Sequence, residues 1–164
     1  MFVLRLLLWV VVAAVVVLVV AGQLGLLTGK APQDLGVKDG RLKRPSKTEN
    51  SVSSQADLFP EHPMRAYAQI APLSFSGDPA AAWDKLKSTV EGMPGTRIQS
   101  DTGDYLYAQS TTRLLRFTDD VEFLLDAQQR VIHVRSASRL GRKDFGVNRA
   151  RVEAIRAGFA AMNP

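Results

Sequence analysis

The alternation of apolar and polar positions divides the chain into an apolar run, a polar segment without a period and a longer stretch of helix and strand patterns. The apolar run, LLLWVVVAAVVVLVVA, covers Leu6–Ala21, and Arg5 is the only charged side chain as far as Leu27. A helix needs about 20 mainly apolar residues to cross the core of a bilayer, and residues 2–22 supply them. We therefore expect residues 1–27 to form a single-pass anchor whose partner is the lipid bilayer.

A cleaved signal peptide is the alternative interpretation of the same run. Val19–Ala21 places small residues where a signal peptidase would cut. The apolar part of a signal peptide usually has about 7 to 15 residues, so the greater length of this run favours an uncleaved anchor. The side of the membrane stays open at this point. The basic residues that follow favour a cytoplasmic domain by the positive-inside rule, whereas an exported signal anchor would place the domain outside.

Residues 28–50 mix glycine, proline and charge without a sustained period, which is typical of a linker. They contain six Lys and Arg against three Asp and Glu, so the linker is basic. We expect a solvated tether here. The alternative is that the cluster KDGRLKRPSK, residues 38–47, lies on anionic headgroups beside the anchor, an attraction of about 1 kcal/mol per basic residue.

Two helices are predicted in the domain of residues 51–164. The first has Asp78 at its N-cap, Pro79 in its first turn and a stop at Gly92. The second begins near Asn148, a residue type that suits an N-cap. Apolar stripes at helical spacing support both helices, and they consist of Ala82, Trp83, Leu86 and Val90 in the first and of Val152, Ile155, Phe159 and Met162 in the second.

Five further runs have the pattern of strands. Residues 65–75 are predicted to form an edge strand, because Pro72 has no N–H to give to a central ladder. Four runs then follow in succession, at residues 96–101, 105–114, 117–126 and 130–140. The order β-α-β-β-β-β-α predicts an α+β fold, with a single antiparallel sheet and two helices on one face, after the transmembrane helix. The other face of the sheet is expected to be free.

The register of the last hairpin follows from its apolar positions. Both strands must turn their apolar side chains toward the helices, and only a loop with an even number of residues allows this. We predict such a loop centred on Gln128–Gln129. It places Phe123 opposite Val134 on the helix-covered face, and it places Glu122 opposite Arg135 on the other face. The register therefore predicts a cross-strand ion pair between Glu122 and Arg135.

The composition limits which kinds of catalytic site, metal site and partner the protein can have. The chain has no cysteine, which excludes disulfides, thiolate nucleophiles and cysteine-ligated metals, and its two histidines are far apart in sequence. No serine lies in a G-x-S-x-G elbow, which disfavours a serine hydrolase. Of the net charge of +5, residues 51–164 carry only +1, from fourteen basic and thirteen acidic residues. We therefore expect no cofactor and no metal site, and nucleic acid is disfavoured as a partner.

The candidate catalytic group is an acidic cluster of Asp119, Asp120 and Glu122. Alternation along a strand puts Asp120 and Glu122 on one face, with backbones about 6–7 Å apart. Two such carboxylates can divide acid and base roles or hold a hard divalent cation. This is the hydrolase-type alternative, which would use the cluster beside Arg135 and Arg139. The favoured interpretation is that the acids pair with arginines of neighbouring strands.

The candidate binding surface is the stretch VRSASRLGRKDFGVNRARVEAIR, residues 134–156, which contains seven basic residues. Arg149 and Arg151 lie near the positive end of the helix dipole, which is unfavourable unless an anion is close. Either an internal carboxylate or an external anion supplies that charge. The candidate ligand-binding residues are Arg135, Arg139, Asp144, Asn148, Arg149 and Arg151. Their expected ligands are headgroup phosphates, acidic polymers or an acidic protein face.

Four pieces of the sequence resemble one known family. They are NSVSSQA at residues 50–56, IAPL at 70–73, RFTDDVEF at 116–123 and VRSASRLGRKDFGVNRARVE at 134–153. They are similar to the proteins grouped as domain of unknown function 1499, which occur in bacteria and in chloroplasts. The chain departs from the usual family pattern at Ser51, where a cysteine is common, and at Arg142 and Lys143, where Tyr-Ser is frequent. The resemblance implies an exported or lumenal domain and no established activity.

The sequence thus favours a membrane-anchored, non-catalytic binding or assembly module that contacts an anionic partner through an arginine-rich surface. The alternative is the hydrolase-type enzyme with the acidic cluster. The two hypotheses make different demands on the structure. A module needs carboxylates that are fully paired with arginines, whereas an enzyme needs unpaired carboxylates that converge in a cleft.

Overall fold

The structure is a computed structural model that describes residues 1–161. Within these residues one helix, α1 (Phe2–Gln23), is long and apolar enough to cross a membrane. A short 3-10 helix at Ala56–Leu58 precedes the second α-helix. In chain order the elements are α1 (Phe2–Gln23), β1 (Ser51–Ser53), α2 (Arg65–Ala68), β2 (Leu73–Ser74), α3 (Pro79–Glu91), β3 (Thr96–Asp101), β4 (Tyr105–Thr111), β5 (Thr118–Asp126), β6 (Val131–Ser138) and α4 (Val147–Ala161).

The strands form one antiparallel sheet with the order β1-β6-β5-β4-β3. The short β1 and β2 lie end to end along the same edge of β6, where β1 pairs with residues 135–137 and β2 pairs with residues 131–132. The predicted α+β class and the single antiparallel sheet are therefore confirmed. The predicted β5–β6 register is also confirmed, since Phe123 lies opposite Val134 and Glu122 lies opposite Arg135.

The start of the domain differs from the prediction in two places. Residues 65–75 do not form one edge strand, because only Leu73–Ser74 pair with β6 and residues 65–68 form the helix α2. Carbonyl groups of residues 67–72 accept hydrogen bonds from Arg149 and Arg156 of α4, so arginine side chains replace a strand partner. The three residues of β1 were not predicted, since so short a run carries no periodic signal.

The helix termini follow local capping chemistry. The carboxylate of Asp78 accepts the N–H of Ala81 at 3.2 Å, as expected for the N-cap of α3. The helix α4 begins at Val147, within one residue of the prediction, but Asn148 is not its cap. The carboxylate of Asp144 instead accepts the N–H of Asn148 at 3.1 Å. The predicted stripe of α3 is buried, as are the first three members of the α4 stripe, whereas Met162 lies outside the described residues.

Both long helices of the domain pack on the same face of the sheet. Their buried side chains meet those of the central strands, where Leu106 and Phe123 are neighbours across β4 and β5. Each large apolar side chain that is fully buried stabilises the fold by about 1.5–3 kcal/mol relative to exposure. The core on this face consists mainly of Leu86, Val90, Leu106, Val121, Phe123, Ile132, Val134, Val152, Ile155 and Phe159.

The opposite face of the sheet was expected to be free, and this expectation is wrong. Glu122 lies on that face with none of its surface exposed. The N–H of Gly36 donates to Glu122 Oε1 at 2.9 Å, so the segment that follows α1 crosses this face. Leu42 of the same segment is 2% exposed, and its N–H donates to Gln55 Oε1 at 2.7 Å. The segment of residues 34–42 therefore contacts the domain through Gly36 and Leu42.

Candidate functional site

A buried ion pair lies at the centre of the sheet face opposite the helices, which we call the polar face. Arg135 Nη1 donates to Glu122 Oε2 at 2.9 Å, which confirms the predicted cross-strand pair. The other carboxylate oxygen, Oε1, accepts from the hydroxyl of Tyr105 at 3.0 Å and from the N–H of Gly36. Burial and the neighbouring Glu122 carboxylate raise the pKa of Tyr105, which keeps its hydroxyl protonated as a donor. All these groups are therefore committed to one internal network.

A second ion pair lies beside the first on the same face. Arg139 donates from Nε and Nη2 to the carboxylate of Asp120, with the shortest distance at 2.7 Å. The hydroxyl of Tyr107 donates to Asp120 and accepts from Arg139 Nη2 at 3.0 Å. The hydrogen bond with Asp120 raises the pKa of Arg139, and burial raises the pKa of Tyr107. This fork-shaped contact fixes the end of β6 to β5.

The third carboxylate of the acidic cluster points the other way. Asp119 is on the helix-covered face, where Arg151 Nη2 of α4 donates to its Oδ2 at 2.5 Å. Arg151 also donates to Ser136 Oγ and to Asn148 Oδ1. The sequence suggested that Arg151 near the start of a helix requires an anion, and Asp119 supplies it. Asp119 is thus separated by the sheet from the other two acids.

The start of α4 is held by a buried polar network around Asp144. Its Oδ1 accepts from the hydroxyl of Tyr67 at 2.6 Å and from the N–H of Gly146, and its Oδ2 accepts from the backbone and side chain of Asn148. Burial raises the pKa of Asp144, but the hydrogen bonds outweigh it and leave the pKa below the ordinary 3.8. Burial, with the bond to Asp144, raises the pKa of Tyr67 to about 12. These residues anchor the helix.

Arg149 completes the set of predicted ligand-binding residues. Its guanidinium donates to the carbonyl oxygens of Gln69 and Tyr67, at 3.0 and 2.6 Å. Backbone carbonyls therefore compensate the charge of Arg149 near the helix start, as the carboxylate of Asp119 does for Arg151. Every predicted ligand-binding residue makes internal hydrogen bonds, and the structure distributes these residues over both faces of the sheet instead of bringing them to one surface.

A serine–histidine contact was not expected from the sequence. Ser54 Oγ lies 3.3 Å from His133 Nδ1, and it also accepts the N–H of Val134 at 2.9 Å. Burial lowers the pKa of His133, so its neutral ring is favoured and can accept a hydrogen bond from the Ser54 hydroxyl. Ser54 follows β1, whose pairing with β6 could not be derived from a three-residue run. The hydrogen bond from Val134 gives Ser54 a structural role in this pairing.

A basic cleft is formed by residues 34–47, which the sequence indicated as part of a linker. Lys38 and Arg41 are paired by two backbone hydrogen bonds across a tight turn, in which Asp39 and Gly40 both have positive φ. Asp-Gly is the residue pair that such a turn favours. The cleft has a volume of about 760 Å³ and is lined by Asp34, Gly36, Lys38, Asp39, Arg41, Leu42, Lys43, Arg44, Pro45, Ser46, Lys47 and Phe59.

The charges of this cleft are mostly not neutralised. Lys43 Nζ contacts Asp34 Oδ1 at 2.5 Å, and this hydrogen bond lowers the pKa of Asp34. Lys38, Arg41 and Lys47 are exposed and have no carboxylate partner within residues 1–161. The arginines of β6 and α4 form ion pairs or hydrogen bonds inside the fold, whereas the cations of this cleft face solvent. The Asp-Gly pair was the sequence signal that could have indicated an ordered turn here.

A comparison with protein families assigns the chain to a family. The family model described as "Protein of unknown function (DUF1499)" matches residues 41–159. The chain belongs to this family. The resemblance seen in the four sequence pieces is thereby confirmed, and the matched family region contains all six strands of the sheet as well as the part of the basic cleft that follows residue 40. Neither the comparison with curated proteins nor the comparison with solved structures gave a match.

Proposed function

We propose that the protein is a single-pass membrane protein whose domain is a non-catalytic binding module for an anionic partner, with the basic cleft of residues 34–47 as its contact surface. One observation carries the proposal. Five basic and two acidic residues line this cleft, and among the described residues only Lys43 has a carboxylate partner there. Uncompensated cations around a concave surface attract anions and raise their local concentration.

In this proposal the arginine-rich stretch of residues 134–156 has mainly a structural role. A ligand at Arg135 or Arg139 would have to displace a buried carboxylate, and a ligand at Arg151 would have to displace Asp119. Breaking a buried pair leaves an uncompensated charge, which costs about 3–5 kcal/mol. We therefore assign these side chains to holding the sheet and α4 in place. Their direct role in ligand binding stays a prediction.

The anchor is supported by the dimensions of α1. Its 22 residues correspond to about 33 Å at 1.5 Å per residue, close to the thickness of a bilayer core of about 30 Å. We place the soluble domain on the exported or lumenal side, as the family resemblance implies. In this arrangement the basic cleft meets acidic polymers or proteins outside the cytoplasm.

The hydrolase alternative is less well supported. Asp119, Asp120 and Glu122 each accept a hydrogen bond from an arginine at 2.5–2.9 Å, and Asp119 lies on the other face of the sheet. No group of three His, Asp or Glu side chains within residues 1–161 is arranged to hold a metal ion. The three carboxylates therefore do not form the open, converging cluster that this chemistry needs.

The experiment is a thermal-shift measurement on the full chain in neutral detergent micelles, with tripolyphosphate and poly-glutamate as probes. A probe at 100 times its dissociation constant stabilises the folded state by about 2.7 kcal/mol, so the melting temperature should rise. A response to tripolyphosphate indicates a phosphate ligand, and a response to poly-glutamate alone indicates an acidic protein face.

The test variant is the double substitution Arg41→Ala and Arg44→Ala, which removes two exposed cations of the cleft. The matched control is Arg97→Ala, an exposed arginine on β3 outside the cleft. We expect the double variant to lose the shift and the control to keep it. The proposal is wrong if neither probe stabilises the parent chain, or if the control loses as much of the shift as the double variant.

A further inference from the structure

The end of α1 is attached to one end of the domain. The side-chain amide of Gln23 donates to the carbonyl oxygens of Arg113 and Leu114, at 3.2 and 2.9 Å. A Cβ atom added to Gly22 would come within 2.5 Å of the carbonyl oxygen of Leu115, so helix and loop are in close contact. If α1 spans the bilayer, its last turn lies at the membrane surface. The loop of residues 112–117 must then lie there as well.

The same end of the domain exposes large apolar side chains. Phe145 is 92% exposed, and an apolar hollow of about 330 Å³ lies between the loop of residues 112–117 and the loop of residues 139–147. We call this surface the apolar end. Its side chains are those of Leu114, Phe117, Leu140, Phe145 and Val147, of which Phe117 is the least exposed at 38%. All of these side chains except Leu114 line the same hollow, and an exposed apolar patch of this kind marks a site of contact with a membrane or a protein.

The conformation of Phe145 adds to this observation. Its φ is +52°, in the left-handed region that bulky residues rarely adopt, and Gly146 follows with φ +82°. Nothing in the fold buries the aromatic ring in return for this unfavourable backbone. Strained residues of this type concentrate at functional positions, where a ligand or a partner uses the side chain. A ring that is held outward at a loop tip is suited to insertion among lipid headgroups.

Four exposed basic residues lie in the two loops that form the apolar end. Arg113, Arg116, Arg142 and Lys143 are exposed, and within residues 1–161 only Lys143 has a carboxylate partner, Glu49 at 3.0 Å. The two acids nearest in sequence, Asp119 and Asp144, are buried and already hydrogen-bonded. Cations beside an aromatic ring are characteristic of protein segments that lie at anionic membrane surfaces.

The opposite end of the sheet has a different character. The turn between β5 and β6, residues 127–130, is exposed and reads AQQR. It lies about 31 Å from the start of β5, since residue 127 is nine residue steps of about 3.4 Å from Thr118. Leu24 and Leu26, which follow directly after α1, are also exposed and add apolar surface next to the helix end that contacts residues 113–115. This continuity with the anchor favours the bilayer over a second protein as the occupant.

We propose that the domain docks on the surface of the bilayer through its apolar end, with Phe145 and Leu114 inserted at the headgroup boundary and Arg113, Arg116 and Arg142 against lipid phosphates. This inference rests on the anchor of the proposed function and is independent of ligand binding in the basic cleft. Docking fixes the orientation of the domain, so that the cleft is held at a defined height above the membrane instead of moving freely on a tether.

The test is fluorescence quenching of the full chain in vesicles of phosphatidylcholine and phosphatidylglycerol, with or without bromine on the acyl chains. Trp9 in α1 reports on the anchor, and Trp83 gives a constant signal because it is 3% exposed in the core. The reporters are Phe145→Trp and, independently, Leu114→Trp, each combined with Trp9→Phe. The matched control is Gln128→Trp on the same background, at the opposite end of the sheet.

We expect brominated lipid to remove most of the emission of Trp9 and of both reporter indoles, and to leave that of the Gln128→Trp control unchanged. If Trp9 is not quenched, the anchor itself is wrong and docking is overturned with it. If Trp9 is quenched but the reporters respond no more than the control, docking alone is overturned. Protection of the reporters from acrylamide without quenching by brominated lipid would show a protein partner at this end and would also overturn docking.

Discussion

The two faces of the sheet bury their central side chains by different means. The helix-covered face is filled by apolar side chains such as Phe123, Val134 and Leu106, which need only volume and shape. The other face carries ion pairs and tyrosines under a polypeptide segment, and Glu122 there is as fully buried as Phe123. The first face is stabilised mainly by removal of apolar area from water, and the second depends on pairing of charges.

The two faces therefore contribute differently: the apolar face provides most of the stability, and the polar face fixes the register of the strands. Buried ion pairs contribute little net stability, because desolvation of both charges offsets most of their attraction. They nevertheless restrict the register, since a one-residue slip of β6 would bury Arg135 among the apolar side chains under the helices. We infer that the polar face holds the sheet in one alignment and provides a fixed platform for the segment that forms the basic cleft.

The largest expected effect comes from breaking the central pair on the polar face. Glu122→Leu leaves Arg135 buried without a counter-charge, and we expect a loss of about 3–5 kcal/mol in the free energy of unfolding. Adding Arg135→Met should restore most of that loss, because both charges are then removed. The measurement is urea unfolding of the full chain in neutral micelles, followed by Trp83 emission on a Trp9→Phe background.

The matched control uses the neighbouring residues of the same two strands on the apolar face. Phe123→Leu and Val134→Ala each remove volume, and we expect the double variant to lose more than either single variant. Recovery in the charged pair together with further loss in the apolar pair supports the contrast between the faces. If the charged double variant is less stable than both of its single variants, charge pairing is not what the polar face requires.

An intermediate effect is expected from the segment over the polar face. Leu42 is 2% exposed, and Leu42→Ala should cost about 2–5 kcal/mol if residues 34–42 are part of the folded domain. Val37→Ala in the same segment is the control, since Val37 is 41% exposed and its truncation should have little effect. The same urea titration measures both variants. Equal, small effects would mean that this segment is a tether.

The sequence was sufficient to predict the helix-covered half of the molecule. Periods of 3.6 and 2 residues identified α3, α4 and β3–β6, because these elements turn one apolar face toward a common core. The demand that Phe123 and Val134 share that core also determined the partner of Arg135. An alternating pattern carries this information whenever one face of a strand is buried in apolar surroundings.

The polar face could not be predicted in the same way. Asp120 and Glu122 look like solvent-facing positions, because no periodicity records that another part of the chain will cover them. The covering segment contains glycine, proline and charges, and its packing depends on long-range contacts such as the one between Gly36 and Glu122. The Asp39–Gly40 pair is the one local signal of order in this segment, whereas the absence of a sustained period around it predicts a linker.

The smallest expected effect is a pH dependence that arises on the polar face at His133. Burial lowers the pKa of His133 below the ordinary 6.5, and the charge of Asp126 offsets part of this shift. The unfolded chain therefore binds a proton at a higher pH than the folded chain. The contribution to stability is present above pH 6.5 and is lost as the pH falls through 6.5 toward the folded pKa.

Because His133 is only partly buried, we expect this loss to be a few tenths of a kcal/mol. The measurement compares the melting temperatures of the parent chain and of His133→Gln between pH 8 and pH 5.5. The variant should lose less stability on acidification, because glutamine does not titrate and can still accept a hydrogen bond from Ser54. His62 is retained in both proteins, so its titration cancels in the difference. If the parent chain instead gains stability relative to the variant at low pH, the protonated ring is the favoured form, and the polar face then accommodates a further positive charge beside its arginines.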